Sequence, residues 1–469
     1  MAIREGFKWE AKRRLDGVER LWGFLFIVLI LALGWPSTLS GSQRDSDAEV
    51  TFVDHWLTDH LVGVVDLYKK LHAQPELSLE ETKTAGAVAG ALRAAGFTVS
   101  EGIGGHGVVG VLENGSGPTV LIRGDMDALP VTEETGLSYA SQVEVERPGG
   151  GRVGVMHACG HDVHTAALTA TAGLMAAGKA FWSGTLVLIA QPAEEIGRGA
   201  RAMIEAGLFE RFPVPEYSLA LHVESGLPAG TIGYTSGWTM ANVDSVDLTF
   251  WGRGGHGARP HQAVDPIVTA AHFVTALQTL VSRRIPPQDP AVVTVGSFHA
   301  GAKHNVIPDQ AHLQLTVRSY TDAVRKQLLD GIAQLARDTC RTFQCPRPPD
   351  IEVREGYTPA VYNDPALTER ATGLFRVAFG AESVVSRSPS MGGEDFGRYS
   401  RELGIPGLLY RVGAQDPEKY EASRRPGGDP LPSLHSSRFA PVPELTLEAA
   451  VRSMSLLALD LLKPEVETP

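Results

Sequence analysis

Met156-His-Ala-Cys-Gly-His-Asp-Val-His-Thr165 leads straight into an alanine-rich run, His161–Ala177, with the spacing of a buried helix. The apolar run Gly184–Ala190 follows as a strand of the kind buried on both faces, and Gln191-Pro-Ala-Glu-Glu195 closes it. A helix and a strand with polar side chains crowded at their ends describe an α/β unit whose loops carry chemistry. The pattern repeats outward. Upstream, Val53–His72 and Glu81–Ala95 read as helices, the second stopped by Gly96, and Val108–Leu112 and Thr119–Ile122 read as strands. Downstream, Gly199–Ala206 is helical and Ser218–His222 a strand. The expected fold class is α/β, a mixed sheet with helices on both faces.

The texture changes at Asn242. Val243–Trp251 alternates like a strand, Ala263–Arg283 is a long helix, Ala291–Phe298 and Ala311–Ser319 are strands, and Thr321–Cys340 is helical. That order suits a smaller α+β, ferredoxin-like domain with its helices on one face, closed by Pro346, Pro348 and Pro349. Alternation resumes from Pro365 to Leu462, so the first domain is expected to contain the second as an insertion. The expected division is an N-terminal segment 1–45, catalytic residues 46–241, an inserted lid or dimerisation domain 242–355, and further catalytic residues 356–469. Gln415–Ser433, rich in Pro, Gly and charge, reads as a surface loop.

A chain of 469 residues with 43% hydrophobic and 20% charged residues has ordinary globular composition. Its net charge of −12 argues against a nucleic-acid surface, which needs a basic face. At the N-terminus, Arg4, Lys8, Lys12, Arg13, Arg14 and Arg20 precede an unbroken apolar run, Leu21–Trp35. This is the pattern of an export signal or an uncleaved membrane anchor, and it places the protein outside the cytoplasm or in a secretory lumen. Cys340 and Cys345 are spaced to close a small loop in an oxidising compartment, and two free thiols are the equal alternative.

Thiolate and imidazole suit zinc, and imidazole with carboxylate suits manganese or cobalt as well. Cys159 and His161 therefore read as metal ligands, flanked by His157 and His164. A nucleophilic cysteine–histidine pair and a polar helix cap are the competing readings, and neither accounts for Glu194 and Glu195. Side chains of adjacent glutamates diverge, so one can ligate while the other takes a proton from water. Asp125 and Asp127 follow an apolar strand, where open α/β sheets place their ligands, and His222 ends another, where a lone histidine is more often structural. Gly254-Gly-His-Gly-Ala-Arg-Pro-His261 offers His256 for a developing oxyanion and Arg259 for a substrate carboxylate. Asn305-Val-Ile-Pro-Asp309, Met391-Gly-Gly-Glu-Asp-Phe396 and His435 are weaker candidates.

Taken in order with Arg123-Gly-Asp-Met-Asp-Ala-Leu-Pro130 and Leu434-His-Ser436, these motifs resemble the M20 metallopeptidase family over roughly residues 54–462. The likeness is to its amidohydrolase branch of hippurate, N-acyl-amino-acid and auxin-conjugate hydrolases. The resemblance implies a zinc-peptidase-like catalytic domain and two divalent ions (zinc, manganese or cobalt) held by Cys159, His161, Glu195, His222 and His435. It implies Glu194 as general base, His256 polarising the scissile carbonyl, Asp127 orienting a ligand, Arg259 and Asn305 near substrate, and a homodimer. Ser437 stands where the family usually has proline. The expected activity is cleavage of an N-acyl-amino acid into a carboxylate and an amino acid. A dipeptidase or carboxypeptidase of the wider family and a catalytically silent binding homologue are the alternatives.

Overall fold

The computed structural model describes residues 40–147, 149–354 and 356–463. The N-terminal segment read as an export signal or anchor falls chiefly on residues 1–39, outside the described ones. Among the described residues no helix is long and apolar enough to cross a membrane.

An eight-stranded mixed sheet forms the larger layer. Its spatial order is Thr98–Ile103, Gly107–Asn114, Gly184–Gln191, Thr119–Asp125, Tyr217–Pro228, Gly407–Gln415, Ile232–Tyr234 and Val384–Ser386. The four central strands, from Gly184–Gln191 to Gly407–Gln415, run parallel, and their side chains alternate between two apolar layers. Val120, Ile122, Leu186 and Leu188 face the main core, packed with Leu168, Leu174, Leu456 and Leu457. Leu121, Val187 and Ile189 face the opposite layer with Met203, Leu208 and Tyr399. Burial on both sides is why these strands read as continuous apolar runs rather than alternating ones.

The helix His161–Ala177 is buried along nearly its whole length, against Thr119–Asp125 on one side and helix Pro443–Leu461 on the other. Its alanines allow that approach, and so does the strand. A Cβ on Gly124 would lie 3.1 Å from the carbonyl oxygen of His164, so any larger residue would push the helix out by a few tenths of an ångström. Helix Ser40–Ala73 ends on the same structure. Its buried His72 bonds Asp162 Oδ2 through Nδ1 (2.7 Å) and Glu133 Oε1 through Nε2 (3.1 Å), tying it to the first turn of the buried helix.

A second, antiparallel sheet has the order Ala291–Ala300, Gln310–Ser319, Asn242–Trp251 and Asp350–Val353. Helices Pro266–Arg284 and Asp322–Thr342 cover one face, burying Phe273, Leu277, Leu328 and Ile332 against Leu248, Phe250 and Leu313. The α+β expectation holds, with a β-α-β-β-α-β order that includes one strand more than the sequence reading. The prolines at 346, 348 and 349 do not end the region. They precede an edge strand, where the missing N–H costs no ladder bond. Cys340 and Cys345 are joined as a disulfide. The stretch Gln415–Ser433 also needs correction, because Pro417–Ser423 is a helix within it. Asp416 caps that helix, accepting from Glu418 N at 2.9 Å and Lys419 N at 3.0 Å, with Pro417 in its first turn.

Candidate metal centre and active-site cavity

Sheet topology brings the histidine, cysteine and glutamate motifs to one place. The parallel strands Thr119–Asp125 and Gly184–Gln191 end beside each other, and Tyr217–Pro228 carries His222 past them. Loops leaving the first two strands supply Asp127, Glu194 and Glu195. Cys159 and His161 open the buried helix. His435 arrives from the loop before helix Pro443–Leu461.

Hydrogen bonds sort the histidines. His161 Nδ1 lies 2.8 Å from the carbonyl oxygen of Asp127, and His222 Nδ1 lies 2.8 Å from that of Val223. A carbonyl only accepts, so each Nδ1 carries a proton and Nε2 is the nitrogen left to face an ion. His164 is used up: Val223 N–H donates to its Nε2 at 2.9 Å, and its Nδ1–H donates to Asp125 Oδ1 at 2.6 Å. It has no lone pair left for an ion. His157 is buried with both ring nitrogens unpartnered, and burial lowers its pKa to about 4.

The free donor atoms converge. Cys159 Sγ lies 3.5 Å from His222 Nε2 and 3.3 Å from His435 Nε2, and His435 Nε2 lies 3.6 Å from Glu195 Oε2. His161 Nε2 is 4.0 Å from both Glu194 Oε2 and Glu195 Oε1. Cys159–His161–His222 and Cys159–Glu195–His435 each have ligand atoms within 4.8 Å of one another, with Cys159 common to both. A fit to cations can be tested on the buried atoms. His161 Nε2 and Glu195 Oε1 have no hydrogen-bond partner, a costly arrangement that a bound cation would relieve. The donor set of thiolate, imidazole and carboxylate is that of zinc-type ions.

Electrostatics separate the ligands: burial works against charge on His161, but Asp125, Asp127 and Cys159 overcome it and hold its pKa well above the usual imidazole range. Burial pushes the Cys159 thiol up, and it lowers His222 well below the usual imidazole range, helped by His164 and Arg411. Burial raises Glu195 to about 7. Burial, then Glu394 and Asp395, holds Glu194 well above the carboxylate range.

Asp127 organises the ligands from behind. Its Oδ1 lies 3.2 Å from His161 Nδ1, and its Oδ2 accepts from Glu195 N–H at 3.0 Å and Ser78 Oγ at 2.6 Å. Ala193, with φ 53°, bends the chain just before the two glutamates, and its N–H donates to Glu81 Oε1 at 2.7 Å. His435 has φ 67°, a strained presentation fixed by its N–H bond to Ala158 O at 2.8 Å. Ser437, in the proline position, ties the loop to Glu134. Its hydroxyl donates to Glu134 Oε2 at 2.9 Å, and its carbonyl accepts from Glu134 N–H at 2.8 Å.

His256, Arg259 and Asn305 are not brought to this cluster. They are exposed on the second-sheet region, where His256 Nδ1 accepts from its own loop at Ala258 N–H, 3.0 Å away. None of them lines the cavity of about 580 Å³ over the ligand cluster. That cavity is walled instead by Glu194, Glu224, Arg318, Arg387 and Arg411 among others. Sequence reading also passed over Arg123. Its fully buried guanidinium bonds Asp125 at 2.6 Å, Glu394 at 2.8 Å, Asp395 at 3.1 Å and Gln191 Oε1 at 2.9 Å. The signal was present, since Arg123 and the Glu394–Asp395 pair both belong to quoted motifs.

Comparison with known proteins agrees with this geometry. The family model described as peptidase family M20/M25/M40 matches residues 121–423. Thermostable carboxypeptidase 2 of Saccharolobus solfataricus is 34% identical over 84% of this chain and 94% of its own length. The hippurate hydrolase of Campylobacter jejuni is 38% identical over 70% of this chain and 82% of its own. A Bacillus subtilis structure described as a dinuclear metal-binding peptidase of the M20 family superimposes with a TM-score of 0.70 at 29% identity, covering 86% of this chain and 99% of that one.

Proposed function

The chain belongs to peptidase family M20/M25/M40, in its amidohydrolase branch, and is a metal-dependent hydrolase of amide bonds; on that premise we propose that its substrates are N-acyl-amino acids. The observation that carries the reading is the pairing of a shared-cysteine ligand cluster with a glutamate beside it, both opening on a cavity of small-molecule size. Cys159, His161, Glu195, His222 and His435 would hold two divalent ions. When bound, those ions supply Lewis-acid activation of water and of the amide carbonyl. Glu194 acts as proton carrier. It takes the proton of the attacking water on its carboxylate and delivers it to the departing amine nitrogen. Asp127 keeps the His161 ring and the Glu195 backbone in place throughout.

Residues 242–355 are proposed as an insertion in a catalytic domain of 46–241 and 356–469. The exposed loop of His256, Arg259 and Asn305 supports a homodimer in which this loop meets the partner's cavity. Ile267, Val268, Phe298 and Val306, exposed in the same region, support such a surface. The basic–apolar N-terminus supports an exported location. A second reading, carboxypeptidase or dipeptidase, is favoured by the 34% identity to a thermostable carboxypeptidase. Dipeptides assayed beside benzoyl- and acetyl-amino acids separate the two.

The direct test is Glu194→Ala. Turnover of acyl-amino acids should fall by at least about 100-fold while metal content stays near that of the wild type. Hydrolysis at near wild-type rates would overturn the role given to Glu194.

A further inference from the structure

Three guanidinium groups, those of Arg318, Arg387 and Arg411, line the cavity and have no part in the chemistry above. All three are half-buried. Among the described residues none forms an ion pair within 4.0 Å. Arg318 Nε donates to Thr316 Oγ1 at 3.1 Å, Arg411 Nη2 contacts Met240 Sδ at 2.8 Å, and among the described residues the Arg387 guanidinium has no hydrogen-bond acceptor. Two half-buried arginines elsewhere meet acids, Arg325 with Asp244 at 2.6 Å and Arg452 with Asp54 at 2.9 Å, whereas the Arg398 side chain bonds the Tyr357 carbonyl.

The arrangement brings like charges together. Arg411 stands opposite His222 in the register of adjacent parallel strands, so its side chain leaves the sheet on the ligand side. On its other flank Arg411 pairs with Gly233. A Cβ on Gly233 would lie 3.0 Å from Arg387 Cγ and 3.2 Å from Arg411 Cβ. The two arginine stems therefore run side by side across a residue that has to be small. Arg318 approaches from the second sheet, its Nη1 3.5 Å from where a Gly393 Cβ would be. Glu224 also lines the cavity near Arg387, since a Cβ on Gly226 would lie 3.2 Å from both Glu224 Oε1 and Arg387 Nη2, but that oxygen accepts from Gly226 N–H at 2.9 Å. Glu194 and Glu195 line the same cavity, but among the described residues neither they nor Glu224 come within ion-pair distance of these arginines. Guanidinium groups left without a direct partner repel one another, and an anion placed between them removes that cost.

An ordinary N-acyl-amino acid has one carboxylate, which one guanidinium can grip with two parallel bonds. Three exceed that need. Resting on the amidohydrolase reading, we propose that Arg387 and Arg411, faced by Arg318, form an anion subsite that selects N-acyl-amino acids bearing a second carboxylate. That carboxylate belongs either to an acidic amino acid or to a dicarboxylic acyl group.

Two matched pairs of amides assayed on the metal-reconstituted full chain test this and separate the sources. N-acetyl-L-glutamate against N-acetyl-L-glutamine places the extra charge on the amino acid. N-succinyl-L-methionine against N-butanoyl-L-methionine places it on the acyl group. In at least one pair the acidic member should be favoured by about tenfold or more in kcat/KM. Arg387→Gln should bring that ratio to within about threefold of one, and Arg411→Lys should reduce it less, because the charge stays and the fork is lost. Arg387→Lys provides the same comparison if Arg387→Gln does not fold. Equal or better hydrolysis of both neutral amides by the wild type, or a ratio that the variants leave untouched, would overturn the subsite while leaving the amidohydrolase reading standing. Failure to hydrolyse any of the four amides would overturn both.

Discussion

Replacing His72 with leucine tests how the fold holds the ligand-bearing helix. Both partners of the His72 ring are carboxylate oxygens, Asp162 Oδ2 at 2.7 Å and Glu133 Oε1 at 3.1 Å, and its side chain is 0% exposed. Carboxylates only accept, so both ring nitrogens carry protons and the imidazole is a cation. Burial works against that charge, and the bonds to Asp162 and Glu133 overcome it, raising the pKa from 6.5 to about 10. The rise corresponds to at most about 5 kcal/mol of stability. Because the folded value lies above the unfolded one, the contribution is complete below pH 6.5 and is lost as pH climbs through about 10. His72→Leu should therefore cost several kcal/mol at pH 6, and the difference from wild type should narrow markedly by pH 10.5. Urea unfolding followed by tryptophan fluorescence at the two pH values measures it. Equal destabilisation at both would refute a charged His72 and leave only lost packing.

Other outcomes follow from the same geometry. Arg123→Met strands Asp125, Glu394 and Asp395 in the interior without a cation, and should lower unfolding stability by about 3–5 kcal/mol in the same urea assay. Adding Asp395→Asn should recover part of the loss. Asp127→Ala removes the group that orients His161 and the Glu195 backbone, and should weaken metal binding about 10–100-fold in a chelator competition. Since burial keeps the Cys159 thiol protonated in the empty cluster, metal uptake should release protons, measurable with a pH indicator, and retention should fall as pH drops.

The motifs at Cys159 and Glu194 were readable because chemistry dictates residue type, whereas His222 alone reads as structural and joined them only through the family resemblance; the structure brings all of them and His435 to one cluster. Central strands such as Gly184–Gln191 were readable because burial on both faces demands an apolar run. What stayed hidden depends on distance along the chain. Ile232–Tyr234 and Val384–Ser386 are too short to show a period, and the sheet alone gives them partners. His256, Arg259 and Asn305 sit in glycine- and proline-marked loops that look like ligand sites, yet within one chain they stay exposed. Arg387 and Arg411 belong to no local pattern, and only the pairing of Ile232–Tyr234 with both neighbouring strands brings their stems together. His164 flanks the Cys159–His161 pair in sequence, and its two hydrogen bonds keep it out of the ligand set.

Anomalous diffraction at the metal edge, on crystals of protein reconstituted with zinc or manganese, is the most direct measurement. Two peaks should appear per chain, each about 2.0–2.3 Å from its donors. Cys159 should touch both, with His161, Glu195, His222 and His435 completing them, and Glu194 should ligate neither. A single ion held by Asp125 and His164, or none within reach of Cys159, would contradict the account.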